Sequence, residues 1–85
     1  MKKSFELVFT KESVKRLKRI DRQIQIRILK ELKILENNPL VGKQLVGRLS
    51  EFKSFRVGDY RIIYQVSEQK IIIRTIGHRK KVYDK

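Results

Sequence analysis

Apolar and polar positions along the chain change period twice. Phe5, Leu7 and Phe9 alternate with Glu6, Val8 and Thr10, the two-residue period of a short strand with one buried face. Thr10 is a suitable N-cap for a helix starting at Lys11, with Glu12 in the first turn at the positive end of the dipole. Val14, Leu17 and Ile20 form its apolar stripe, among Lys11, Lys15, Arg16, Lys18 and Arg19. Asp21 offers a second N-cap. From Arg22 to about Glu36, Ile24, Ile28, Leu32 and Leu35 keep the spacing of one helix face, which Ile26, Leu29 and Ile34 widen. Asn37-Asn38-Pro39 ends that helix. Leu40 to Ser50, with Gly42 and Gly47, reads as a loop or an irregular strand.

From Glu51 the pattern returns to strands. Phe52–Val57, Tyr60–Val66 and Ile71–Ile76 are separated by turns at Gly58-Asp59 and at Ser67 to Lys70, where Gly58 serves as a turn residue, as does Gly77 further on. The predicted order is β-α-α-β-β-β: an α+β domain spanning residues 1–85, with a helix hairpin laid on one face of a twisted sheet built from an N-terminal strand and an antiparallel three-stranded meander. If Val66 lies opposite Ile71, then Ile62, Tyr64 and Val66 share the helix-side face with Ile71, Ile73 and Thr75. The open face then carries Arg61, Ile63 and Gln65 beside Ile72, Arg74 and Ile76, with His78 just past the strand on the same side.

Composition sharpens this. The 85 residues include 22 Lys and Arg against 9 Asp and Glu, a formal net charge of +13. That exceeds what solubility asks of a small domain and points to a polyanionic partner. The helices are as basic as the rest, so charge by halves locates no site. A narrower window does: between Lys53 and Lys81 stand eight basic residues and two acidic ones, Asp59 and Glu68. Cysteine is absent and histidine occurs once, which excludes a disulfide framework, a thiolate nucleophile and a cysteine zinc site, and leaves no basis for a metal or a cofactor. The longest apolar runs are only three residues, as in Ile71-Ile72-Ile73, too short for a signal peptide or a membrane span, so the expected location is the cytoplasm, with no membrane partner.

Two segments together are specific. Phe55-Arg56-Val57-Gly58-Asp59-Tyr60-Arg61-Ile62-Ile63-Tyr64 and Ile76-Gly77-His78-Arg79-Lys80-Lys81-Val82-Tyr83 resemble the RelE family of bacterial and archaeal toxins within the RelE/ParE superfamily. Length and element order match as well. The resemblance implies a type II toxin that cleaves mRNA in the ribosomal A site as a metal-independent endoribonuclease (mRNA interferase), inhibiting translation. The substrate 2′-hydroxyl attacks the adjacent phosphate. It also implies an acidic RelB-like antitoxin, with the ribosome and mRNA as further partners and operator DNA reached only through the antitoxin. Arg61 and Arg79 match phosphate-binding arginines of the family, and Tyr83 matches a tyrosine that orients or deprotonates the 2′-hydroxyl or stacks on a base. His78 is an acid–base candidate, and Arg56 falls on a basic position. Arg74, Lys80 and Lys81 add candidate RNA contacts. Where the family carries two lysines flanking one residue, this chain has Phe52 and Ser54 around Lys53, which leaves the general base open between Lys53 and His78 and the activity open to being weaker.

Simpler readings stand beside these. Tyr60 and Tyr64 fit a core or its rim, Tyr83 an edge cap, and Arg61 and Arg74 solvated strand positions or partners of Asp59 and Glu68. On function, the alternatives are a ParE-like gyrase inhibitor without chemistry and a non-catalytic RNA- or DNA-binding module.

Overall fold

The computed structural model describes residues 5–45, 47 and 51–78. Strand β1 (Glu6–Phe9) leads into helices α1 (Lys11–Lys18) and α2 (Arg22–Asn37), followed by β2 (Lys43–Gln44), β3 (Lys53–Val57), β4 (Tyr60–Ser67) and β5 (Lys70–His78). The five strands form one sheet in the order β1-β5-β4-β3-β2. The last three make the expected antiparallel meander, and β1 joins it in parallel beside β5, with Leu7 opposite Ile71 and Phe9 opposite Ile73. The pair β2 closes the far edge on β3, within the segment whose sequence fitted either a loop or an irregular strand.

Both helix starts follow the capping chemistry. The Thr10 hydroxyl accepts from the Ser13 amide at 3.1 Å and lies within donating distance of the Ile73 and Arg74 carbonyls, at 3.1 and 3.0 Å, so one side chain caps α1 and ties it to β5. Asp21 accepts from the Gln23 amide at 3.2 Å to start α2. Thr10→Ala is expected to cost about 1 to 2 kcal/mol, measured as a shift of the urea midpoint.

The core lies between the helices and one face of the sheet. Ile28, Leu32 and Leu35 of α2 meet Val57, Ile62, Tyr64, Ile71, Ile73 and Ile76, all at most 3% exposed. Two helix expectations fail. Ile26, Leu29 and Ile34 do not widen the buried stripe: they are 58%, 42% and 45% exposed. At 3.6 residues per turn Ile26 sits about 200° round the helix from both Ile24 and Ile28, and only one flank of α2 reaches the sheet. In α1 the fully buried position is Ser13, not Val14; its hydroxyl donates to the Thr10 carbonyl at 2.9 Å, which satisfies the buried oxygen.

The sheet register departs from the expected parity in its second half. Val66 does lie opposite Ile71, and Tyr64 opposite Ile73, but Ile63 is opposite Thr75 and Ile62 opposite Ile76. Arg74 is the extra residue of a β-bulge. A bulge shifts all later positions by one, which moves Ile76 into the core and Thr75 to the other face. The turn between β4 and β5 holds Glu68 at a φ of 56°. A side chain at positive φ is strained there, so Glu68→Gly is expected to raise stability by up to about 1 kcal/mol in thermal unfolding.

Candidate active site

The β3–β4 hairpin sets the site. Gly58, at a φ of 60°, and Asp59 form its two-residue turn, and β3 and β4 then pair without interruption from Val57–Tyr60 to Lys53–Tyr64. Within that register Arg56 and Arg61 are direct cross-strand partners, and Arg61 is flanked on its other side by Gly77 of β5. Alternation assigns Phe55, Val57, Ile62 and Tyr64 to the helix side, so Arg56 and Arg61 share the open face. Like charges directly opposite each other destabilise a sheet. Two arginines at directly opposite positions carry that cost, an anion lying across them would offset it, and the planar fork of a guanidinium matches the paired oxygens of a phosphate.

Arg56 is exposed, and its Nε donates to the Gly58 carbonyl at 3.0 Å, which braces its stem against the turn. Arg61 is half-buried. Further from the turn, Ser54, Ile63 and Thr75 succeed one another across the open face, with Ser54 and Ile63 only 3% and 6% exposed. Thr75 donates to Glu12 at 3.0 Å, and Arg16 pairs with the same carboxylate at 3.1 Å. That carboxylate is held on α1 at the β5 edge.

The other candidates separate. Lys53 lies opposite Tyr64 on the helix-side face, where its Nζ donates to the Gln44 side chain at 3.0 Å. No bulge in β3 turns it toward Arg61, since the register shift falls in β5. Arg74 sits at that shift, exposed. His78 does not follow the strand as expected; it ends β5 opposite Tyr60, and the bulge gives it Tyr60's face rather than that of Arg61. The two rings meet edge to face, with centroids 5.7 Å apart and planes at 74°. Arg79, Lys80, Lys81 and Tyr83 lie outside the described residues. Among the described residues no three His, Cys, Asp or Glu gather in a way that would hold a metal, and no helix is long and apolar enough to cross a membrane.

The opposition of Arg56 to Arg61 was readable from the two-residue turn. The bulge left no such signal in the sequence: Ile71, Ile73 and Ile76 are the positions of β5 that reach the core, but Ile72 beside them lets either register fit.

Comparison with known proteins agrees with this architecture. The model of the ParE toxin family, of the type II toxin–antitoxin system parDE, matches residues 7–83. Toxin RelE3 of Methanocaldococcus jannaschii is 32% identical over 85 residues, covering 93% of this chain and 96% of that protein. Among solved structures, the RelB–RelE antitoxin–toxin complex from Methanococcus jannaschii is similar with a TM-score of 0.72 at 32% identity, over 91% of this chain and 95% of the matched one. The toxin–antitoxin complex RelBE2 from Mycobacterium tuberculosis is similar with a TM-score of 0.81 at 27% identity, over 89% and 92%. With a family match over nearly its whole length and a toxin at this identity, the chain belongs to the RelE/ParE family of type II toxin–antitoxin toxins.

Proposed function

We propose that this toxin inhibits translation as a ribosome-dependent endoribonuclease that cuts mRNA in the A site. The observation that carries the reading is the cross-strand pair of Arg56 and Arg61 on the open face of the sheet. In the proposed reaction the 2′-hydroxyl oxygen attacks the adjacent phosphorus, its proton passes to a base, and the bond to the 5′-oxygen breaks as that oxygen gains a proton. The products are a 2′,3′-cyclic phosphate and a 5′-hydroxyl. Negative charge grows on the equatorial phosphate oxygens, and fixed guanidinium donors stabilise that charge more than the ground state. Arg61 and Arg79 take this role, Arg56 holds the neighbouring backbone, and Tyr83 orients or deprotonates the 2′-hydroxyl. Lys80, Lys81 and Arg74 contribute RNA contacts. Lys53, on the opposite face, is given no proton to carry. An open sheet suffices because the ribosome holds the message.

The proposed partner in the inactive state is an acidic RelB-like antitoxin. A net charge of +13 and the similarity to toxins solved with RelB support this. Operator DNA is then reached through the antitoxin. A second reading, a ParE-like gyrase inhibitor that binds protein and performs no chemistry, draws on the family description itself.

One experiment separates the two. Purified protein is added to translating ribosomes and new 5′-hydroxyl ends on the message are mapped, with a gyrase supercoiling assay in parallel. Cuts confined to ribosome-bound message, with gyrase unaffected, are the expected result. Inhibited gyrase with intact message would replace the first reading by the second, and inactivity in both would leave a binding module.

A further inference from the structure

His78 is the chain's one histidine and stands next to Arg79, and histidine is the side chain best suited to moving protons near neutral pH. Its placement argues for different work. The bulge at Arg74 pairs Arg61 with Gly77 and Tyr60 with His78. Successive residues of a strand project to opposite faces, so Arg61 belongs to the open face and His78 to the face where Tyr60 packs against the core. There the imidazole meets the Tyr60 ring edge to face, at 5.7 Å and 74°, a geometry that stabilises an aromatic pair beyond its buried area. Tyr60 is in turn packed against the core cluster, which includes Ile28, Leu32 and Leu35 of α2, and beside it a hollow of about 160 Å³ opens between Ile24 and Arg27 of α2 and Val57, Gly58 and Asp59 of the hairpin. The contact thus joins the last residue of β5 to the first residue of β4 and, through it, to α2.

We infer that His78 is a positioning residue: by its edge contact with Tyr60 it fixes the end of β5 alongside Arg61, which pairs with Gly77, and it transfers no proton in the reaction. The inference rests on the endoribonuclease reading for its effect on rate, and on the fold alone for its effect on the strand. Without the contact the last pairs of β5 with β4 fray, and Arg61 loses the strand that flanks it at Gly77. A displacement of about 1 Å in a reacting group is enough to slow a reaction by about 100-fold.

The test compares wild type with His78→Phe, His78→Ala, Tyr60→Ala and the double alanine variant. Single-turnover cleavage of ribosome-bound message is followed from about pH 5.5 to 8.5, across the range where histidine titrates. His78→Phe keeps an aromatic edge and removes the titrating group; it is expected to retain the wild-type rate within about 3-fold and the same pH profile. His78→Ala and Tyr60→Ala are expected to slow the saturated rate by about 10- to 100-fold, with the half-saturating concentration unchanged and the double variant no slower than either. A His78→Phe protein as slow as His78→Ala, with a limb of the wild-type pH profile lost, would overturn the inference. Hydrogen exchange at the Gly77 amide, which faces Arg61 in the ladder, gives a second readout that needs no substrate. Faster exchange in His78→Ala, restored in His78→Phe, is expected; wild-type protection in His78→Ala would overturn the clamp even if the toxin proved not to cleave RNA.

Discussion

Truncation of Tyr64 to alanine is expected to lower stability by about 3 to 5 kcal/mol, the range for removing a large aromatic side chain from a core. Tyr64 is fully buried in the middle of β4, and its hydroxyl does two jobs: it donates to the Pro39 carbonyl at 2.7 Å and accepts from the Gly42 amide at 2.9 Å. One side chain therefore fastens the segment after α2 to the sheet. Tyr64→Phe keeps the ring and strands both backbone groups, so about 1 to 3 kcal/mol of the loss should remain. Gly42 is fitted to the same contact, because a Cβ there would run into the Tyr64 hydroxyl and lie 2.7 Å from Cε1. Burial pushes the Tyr64 phenol above its usual range, with the Gly42 amide opposing in part. An acid whose folded pKa is raised contributes stability that is complete below its unfolded value, near 10, and that is lost as pH rises through the folded value. Alkaline unfolding should therefore be steeper in wild type than in Tyr64→Phe, measured by urea denaturation at about pH 8 and pH 11.

Arg61→Ala is expected to lower the cleavage rate on the ribosome by about 10² to 10³, the loss typical of removing one donor from a site that stabilises developing charge. Arg61→Lys should recover only part of it, since an ammonium cannot present two parallel donors. The folded state should tolerate the alanine. Arg61 is opposed by Arg56 across the hairpin, and relieving that repulsion, worth about 0.2 to 1 kcal/mol, offsets the loss of the contacts that Arg61 itself makes. Loss of activity with an unchanged or slightly raised thermal midpoint would thus separate a role in chemistry from a role in folding.

Most of the fold was legible because local signals agreed with one another. Thr10 and Asp21 cap the helices where the apolar spacing starts, and the turn at Gly58-Asp59 fixes Arg56 against Arg61. What escaped depends on tertiary packing. The parallel pairing of β1 with β5 has no signal within either strand. The exposure of Ile26, Leu29 and Ile34 follows from which flank of α2 the sheet reaches, and an amphipathic pattern with extra apolar residues does not specify that. The bulge at Arg74 was the costly omission, because one unpaired residue exchanged the faces of Thr75 and Ile76 and separated His78 from Arg61. A strict alternation through Ile71-Ile72-Ile73-Arg74 hides it, since an isoleucine on both faces fits either register.

The proposed chemistry depends on the open face of the sheet and not on the chain's general positive charge. The most direct measurement compares Arg61→Ala with Lys53→Ala in single-turnover cleavage of ribosome-bound message. Each variant removes one cation from the same hairpin, one from either face. The expected result is a loss of about 10² or more for Arg61→Ala and a change within about 3-fold for Lys53→Ala. Equal losses, or a larger loss at Lys53, would contradict it.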